Sequence, residues 1–151
     1  MRSSWGLGTM TDGRLYFNHF SEVPPRVWRW WDFRPAEIAS RRDGSLLLVP
    51  GAMNRLEEAR NILARACFIN SAYRDPIHNA MIGGAPKSSH KEGHAFDIST
   101  RNHDRRRLLE ACREAGFSGF GFYQTFLHVD CGRRRQWFSG QRSKVVWTSV
   151  M

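Results

Sequence analysis

The chain has 151 residues, of which 41% are hydrophobic and 25% charged, and this composition fits one folded domain and excludes a disordered chain. Its longest uninterrupted apolar runs, such as 46–49, have four residues, far fewer than the ~20 of a membrane helix, so we expect no membrane insertion. The formal net charge of +9 favours a polyanionic partner such as nucleic acid, anionic lipid or an anionic cell wall, unless the arginines only form a solvated surface.

The N-terminus and the cysteines bear on the cellular compartment. Residues 1–10 contain one arginine and no long apolar stretch, so we predict no secretory signal peptide. The three cysteines are odd in number and widely spaced, which fits neither a disulfide framework nor a zinc knuckle. We therefore expect a protein made in the cytoplasm with free thiols.

Helical and strand patterns are mixed along the chain. Apolar residues at helical spacing predict helices over Gly51–Ala66 and Asn102–Ala115, the second capped by Thr100 or Asn102. Short strands are predicted over Leu46–Val49, Cys67–Ala72, Ala95–Ile98, Gly119–Tyr123 and Phe126–Asp130. We therefore predict a single α+β domain over residues 1–151, with a small, mostly antiparallel sheet flanked by helices.

The residues with metal-binding chemistry lie in two segments. His90 comes just before a predicted strand and Asp97 lies in it, so an imidazole and a carboxylate can converge. In the later strand, alternation places His128 and Asp130 on the same face. Two histidines and one aspartate suit a zinc ion with an open fourth position, as in catalytic sites, where zinc activates water and polarises a carbonyl. Surface or core histidines are the plainer interpretation of the same residues.

A family resemblance strengthens the metal interpretation. The pattern Ser88-x-His90-x-x-Gly93-x-Ala95-x-Asp97 resembles the signature of the D-Ala-D-Ala carboxypeptidase family of zinc peptidases. That family includes VanX-type dipeptidases, phage endolysins and murein endopeptidases, and it shares its fold with the hedgehog signalling domain. Three further segments agree: Ser71-Ala72-Tyr73-Arg74, Asn79 with Gly83-Gly84-Ala85, and Phe126-Leu127-His128-Val129-Asp130. The resemblance covers most of the chain and implies a hedgehog/D-Ala-D-Ala carboxypeptidase-like fold.

The resemblance also implies residue roles. The zinc ligands would be His90, Asp97 and His128. Arg74, with Tyr73 beside it, would contact the substrate, holding its carboxylate or polarising the scissile carbonyl; the alternative for Arg74 is a structural salt bridge. Ser88 would hydrogen-bond within its loop, orient a ligand and contribute to substrate binding.

One position departs from the family pattern. Many members carry an acid three residues before the last zinc histidine, where this chain has Thr125. Asp130 is the nearest acid and is predicted to be the general base or the group that orients His128. His94 and Glu92 are the next candidates for the base.

The resemblance implies a zinc-dependent peptidoglycan peptidase that hydrolyses an amide bond of the stem peptide, as a carboxypeptidase or an endopeptidase. The wall substrate lies outside the cytoplasm, yet we predict no signal peptide on the protein. This combination predicts a phage lysis enzyme or a virion-associated enzyme, with virion or tail proteins as further partners. The alternative is a catalytically inactive, zinc-containing module that binds the wall or belongs to a tail. Nucleic acid is an unlikely partner, because no basic and aromatic recognition motif accompanies the charge.

Overall fold

The computed structural model describes residues 8–9 and 13–151. The segment over which we predict no signal peptide therefore lies largely outside the described residues. The strands are β1 Gly8–Thr9, β2 Leu15–Phe17, β3 Leu46–Leu48, β4 Ile69–Ser71, β5 Ala95–Ser99, β6 Gly119–Phe122, β7 Phe126–Asp130 and β8 Arg135–Phe138. The helices are α1 Pro35–Ile38, α2 Pro50–Leu63, α3 Pro76–Met81, α4 Arg105–Glu114 and α5 Gln141–Thr148.

Two sheets organise the described chain. The larger sheet has the order β4-β5-β7-β6-β8, and its neighbours are antiparallel except for β6 and β8. The smaller sheet pairs β1, β2 and β3 in antiparallel fashion. The predicted α+β class with a mostly antiparallel sheet is confirmed. In the described part of the chain, no helix has the length and apolar character needed to cross a membrane.

Strand alternation gives the larger sheet two different faces. In β7, Leu127 and Val129 are fully buried in the hydrophobic core, which also contains the apolar sides of α2 and α4. The intervening residues of β7, His128 and Asp130, point to the other face because successive strand side chains alternate. One short strand therefore supplies core packing and polar side chains at once.

Helix α4 begins later than its predicted caps. Asp104 is the N-cap, and its carboxylate accepts a 3.0 Å hydrogen bond from the backbone N–H of Arg107. Asn102 has a φ of 76°, a left-handed conformation that cannot start a helix. The prediction that Thr100 or Asn102 caps this helix is wrong, because the carboxylate at residue 104 satisfies the free N–H groups of the first turn.

The C-terminal elements β8 and α5 were not predicted from the sequence. Strand β8 pairs in parallel with β6, which puts Trp137 beside Gly121. Helix α5 is anchored by Trp147, whose fully buried indole donates a 2.7 Å hydrogen bond to the carbonyl of Tyr123. These two elements therefore close the sheet edge next to β6.

Gly121 leaves room for an aromatic ring. A Cβ at this position would overlap the Trp137 indole, and the residue sits opposite His128 in the sheet. Gly51, in the first turn of α2, offers a contrast, because a Cβ there would meet only the Arg55 side chain at 3.6 Å.

We expect Gly121→Ala to lower the free energy of unfolding by about 1–3 kcal/mol, because the ring and strand must move apart to admit the methyl group. The matched change Gly51→Ala is expected to be neutral or stabilising by up to about 1 kcal/mol, as glycine is unfavourable within a helix. Urea unfolding of both variants measures the difference. Equal stabilities would contradict this account of β6.

A buried carboxylate connects α3 to the N-terminal half of the chain. Asp75 accepts hydrogen bonds from the hydroxyl of Ser40 at 2.6 Å, the guanidinium of Arg42 at 3.0 Å and the backbone N–H of His78 at 2.9 Å. Burial opposes its ionisation, but the bonds from Ser40, His78 and Arg42 outweigh burial and lower its pKa to about 2.

This shift predicts a specific pH dependence. Because the pKa of Asp75 is lower in the folded state than its ordinary value of 3.8, the carboxylate stabilises the fold above about pH 4. That contribution disappears as the pH falls towards 2. We expect Asp75→Asn to lower the free energy of unfolding at pH 7 by about 2 kcal/mol or less, and to match the wild type near pH 2.

Denaturant titrations of the metal-free protein between pH 2 and 7 test this expectation. Asp104→Asn is the control, because Asp104 also caps a helix but is exposed. A loss of stability that is independent of pH in Asp75→Asn would show that the ionised form contributes nothing.

Candidate metal centre

Three elements bring two histidines and one aspartate together. Asp97 in β5 lies directly opposite His128 in β7. His90 is presented by a 3₁₀ turn, Ser89–Glu92, that leads into β5. Gly93 ends this turn with a left-handed φ of 76°, and a Cβ there would lie 2.9 Å from the carbonyl oxygen of Leu47. Only glycine satisfies both conditions at that position.

The three side chains converge on one point. Asp97 Oδ1 lies 3.1 Å from Nε2 of His90 and 3.0 Å from Nδ1 of His128. One ligand atom from each residue lies within 4.8 Å of the other two. All three residues are buried, with exposed fractions of 3–6%. The predicted ligands are therefore assembled as a group, which the sequence alone only suggested.

The outer nitrogen of each histidine is already bound. Nδ1 of His90 lies 2.7 Å from the carbonyl oxygen of Ala72, which can only accept, so Nδ1 carries the proton. Nε2 of His128 lies 2.7 Å from Oδ2 of Asp130 and likewise donates. In neutral imidazoles, the nitrogens that face Asp97 then carry lone pairs. Three electron-pair donors pointing at one another require a shared cation or added protons, and this donor set fits zinc.

The electrostatics of the cluster agree with a cation between the donors. Burial opposes ionisation of Asp97, but hydrogen bonds from His128 and His90 hold the pKa of its carboxyl well below its usual range. Burial opposes the charged form of His128, but Asp130 and Asp97 outweigh it and raise the pKa of this histidine. In the metal-free protein, positive charge is therefore favoured where the donors meet.

Arg74 lies beside the donor cluster in a fixed orientation. Its Nε donates to the hydroxyl of Ser71 at 3.2 Å and its Nη1 to Oδ1 of Asn79 at 3.0 Å. Nη2 is 3.7 Å from Oδ2 of Asp97. Burial lowers the pKa of Arg74, although a guanidinium stays charged at neutral pH. The partners of Arg74 thus aim its positive charge at the metal centre.

The cluster opens into a cavity of about 430 Å³. One part of its lining is cationic, with Arg74, Lys87 and Arg135. Another part is aromatic: the rings of Tyr123 and Phe126 stack with centroids 4.3 Å apart. A larger cavity of about 620 Å³ lies elsewhere, against the end of α4, and contains none of the three donors. The smaller cavity is therefore the candidate substrate site.

Ser88 and Tyr73, both predicted to contact substrate, are placed differently. Ser88 lines the cavity, and its hydroxyl accepts a 3.2 Å hydrogen bond from the N–H of His90, as expected within the loop. Tyr73 lies in the hydrophobic core with an exposed fraction of 7%, and burial raises its pKa to about 12. Tyr73 therefore does not line the described cavity, whereas Arg74 does, and a substrate contact of Tyr73 stays a prediction.

Asp130 is on the far side of His128 from the metal centre. Its carboxylate is fully buried, bonded to Nε2 of His128 and held by Arg135 at 2.9 and 3.1 Å and by the N–H of Gly132 at 2.9 Å. This placement does not favour the predicted role of Asp130 as general base, since both oxygens are engaged and the imidazole separates them from the donor cluster. The alternative, that Asp130 orients His128, agrees with this placement.

The other candidate bases also lie away from the cavity lining. Glu92 is exposed and pairs with Arg14 at 3.5 Å. His94 is absent from the described lining, as is Thr125, which occupies the family's usual acid position. Asp97 is the single carboxylate among the described residues that line this cavity.

Several residues of the site were missed by sequence reasoning. Arg135 and Trp137 come from the unpredicted strand β8. Asn79 lies in a segment that resembles the family, but its role in fixing Arg74 was not predicted. For the residue packed against β6, Trp137, a signal was present in Gly119-x-Gly121, since two glycines on one face of a strand leave space for large neighbouring side chains.

Comparison with known proteins agrees with the fold and the donor cluster. A family model described as Peptidase M15 matches residues 32–131, about two thirds of the chain. A fold of this kind around a two-histidine, one-aspartate centre defines a class of metallopeptidase, and this chain belongs to the peptidase M15 family. It is also 26% identical over 113 residues to a zinc D-Ala-D-Ala carboxypeptidase of Streptomyces albus G. That match covers 71% of this chain and 43% of the relative, so the chain spans less than half the length of that protein.

We expect metal analysis of protein purified without chelator to find about one zinc per chain, and His90→Ala to lose most of it, because the variant removes one of three protein ligands. His78→Gln is the matched control, since His78 lies outside the donor cluster. Full zinc occupancy in His90→Ala would contradict the ligand assignment.

Proposed function

We propose that this protein is a zinc-dependent peptidase that hydrolyses an amide bond in the stem peptide of bacterial peptidoglycan. The observation that carries the proposal is the convergence of His90, Asp97 and His128 at a cavity beside the oriented guanidinium of Arg74. Membership of the peptidase M15 family supports the hydrolysis of a peptide bond. The name of the Streptomyces relative supports zinc and a D-alanyl peptide.

The residues of the cavity suggest how the reaction is organised. Zinc, when bound by His90, Asp97 and His128, supplies Lewis-acid activation of water and polarisation of a carbonyl. Arg74 provides a fixed positive charge for a substrate carboxylate or for the negative charge that develops on the scissile carbonyl oxygen. The stacked rings of Tyr123 and Phe126 form an apolar wall against which a short aliphatic side chain can pack.

The described cavity lining, with one carboxylate, favours a second candidate function. Asp97 is the single carboxylate among the described lining residues, so a peptidase that uses these residues alone passes the proton to solvent or to a group other than a carboxylate. A module that keeps zinc and binds wall peptides without cleaving them needs no such acceptor. Turnover of peptidoglycan separates the two functions.

The biological setting is part of the proposal. We infer a phage lysis or virion-associated enzyme, supported by the resemblance of the motif segments to a family that includes phage endolysins. The net charge of +9 supports attraction to an anionic wall. Whether phage virion or tail proteins are partners is tested by co-purification with such particles.

Mass spectrometry of muropeptides after digestion with zinc-loaded protein tests the function directly. A peptidase releases fragments that differ by cleavage of one amide bond, and their masses identify that bond. Retention of the protein on peptidoglycan without new fragments would support the binding module instead.

We expect Arg74→Ala to reduce the rate of cleavage by about 10²–10³, with the fold and the zinc content retained, because removing an oriented donor for developing negative charge has an effect of this size. Arg106→Ala is the control, since Arg106 is exposed and pairs with Glu110 one turn away on α4. If Arg74→Ala instead unfolds at equal zinc content, the role of Arg74 is a structural salt bridge.

A further inference from the structure

We propose that Arg135 is a positioning residue that sets the metal affinity of the centre by holding Asp130, which in turn holds His128. The inference rests on the proposed zinc site and is independent of whether the protein cleaves peptidoglycan. Arg135 lies in β8, beyond residue 131, where the match to the family model ends.

The contact between Arg135 and Asp130 is a two-point contact. Nη1 of Arg135 donates to Oδ1 at 3.1 Å and Nη2 to Oδ2 at 2.9 Å. This fork geometry fixes the plane of the carboxylate as well as its position, which a lysine ammonium cannot do. Among the described residues, Arg135 forms the one ion pair between Asp130 and an arginine or lysine.

Asp130 depends on this cation because of its burial. Its exposed fraction is 0%, and the absence of a side chain at Gly119, directly opposite in β6, provides the space that it fills. A buried carboxylate that loses its cationic partner is strongly disfavoured and will move towards water or another donor. Without Arg135, Asp130 is therefore not expected to keep its present position.

The position of Asp130 determines the ring orientation of His128 and which of its nitrogens carries the proton. Oδ2 accepts the proton of Nε2 at 2.7 Å, which fixes the ring orientation and leaves the Nδ1 lone pair directed at Asp97. Ser89 supports the same contact, with its hydroxyl 3.3 Å from Oδ2. A shift of the carboxylate therefore turns a metal-facing nitrogen away from the other donors.

A second contact connects Arg135 to the same imidazole. Its guanidinium carbon lies 4.8 Å from the centroid of the Trp137 ring, and that ring lies 5.1 Å from the ring of His128. Arg135 thus stabilises both the hydrogen-bonding partner of His128 and an aromatic neighbour of its ring.

Arg135 also lines the candidate substrate cavity, so a role in substrate binding is the main competing explanation. The two roles differ in a property that involves no substrate. A substrate contact leaves the zinc affinity of the free protein unchanged, whereas a positioning contact changes it.

The experiment measures zinc affinity of metal-free protein by competition with a chromophoric chelator, for the wild type, Arg135→Gln, Arg135→Lys and Arg134→Gln. We expect Arg135→Gln to bind zinc about 10–100-fold more weakly, as is typical when the partner of a ligating histidine is disturbed. Arg135→Lys is expected to be intermediate, because it restores the charge without the fork. Arg134→Gln is expected to match the wild type, since Arg134 is exposed and has no contact with Asp130.

A double-mutant cycle tests whether Arg135 affects zinc affinity through Asp130. Asp130→Asn alone should weaken zinc binding, and adding Arg135→Gln should weaken it little further, because Arg135 acts through Asp130. The absorption spectrum of the cobalt-substituted protein should shift in Arg135→Gln and stay unchanged in Arg134→Gln. Additive losses would show that Arg135 acts by another route and would overturn the proposal.

The remaining outcomes are also decisive. Wild-type zinc affinity in Arg135→Gln overturns the inference while leaving the proposed function intact. Failure of the wild type itself to bind zinc overturns the proposed function. If circular dichroism shows that Arg135→Gln is unfolded without metal, the same comparison is made with Arg135→Lys. Wild-type zinc affinity in folded Arg135→Lys, together with an unshifted cobalt spectrum, overturns the inference.

Discussion

The central constraint on this structure is that three electron-pair donors face one another in a buried metal centre. Nε2 of His90, Oδ1 of Asp97 and Nδ1 of His128 cannot remain close without positive charge between them. The surrounding elements remove other ways of relieving this repulsion: the Ala72 carbonyl fixes one imidazole and Asp130 fixes the other. The protein therefore uses its fold to maintain a local arrangement that is unfavourable until a cation is present.

Strand pairing explains how a small domain achieves this arrangement. The antiparallel register of β5 and β7 sets Asp97 opposite His128, and the alternating residues Leu127 and Val129 bury the other face. A shift of one residue would turn both His128 and Asp130 into the core and is opposed by the apolar packing. Core packing and metal-site geometry are thus determined by the same pairing.

Sequence reasoning identified the parts of the site that have a local signature. His90, Asp97 and His128 could be predicted because they lie in short segments that resemble a family signature, whereas their spacing alone left ordinary surface or core histidines as an alternative. For Asp130 the sequence left two roles open, the general base and the group that orients His128, because strand alternation shows only that it shares a face with His128. The long-range contact with Arg135, which favours the second role, has no local signature. Strand β8 also escaped prediction, because it is short, half-buried and rich in polar residues, and its pairing with β6 is a long-range choice.

Arg135 and Trp137 lie beyond residue 131, where the match to the family model ends, and this limits how far the domain can be shortened. A chain shortened to residues 32–131 would keep all three donors and Arg74, yet it would lose the strand that closes the sheet edge beside them. Gly121 would then face solvent where it now faces an indole, and Asp130 would be a buried anion without its cation. The part of this chain that keeps the metal centre and its supporting contacts together therefore extends beyond the segment that carries the recognisable signature, up to β8.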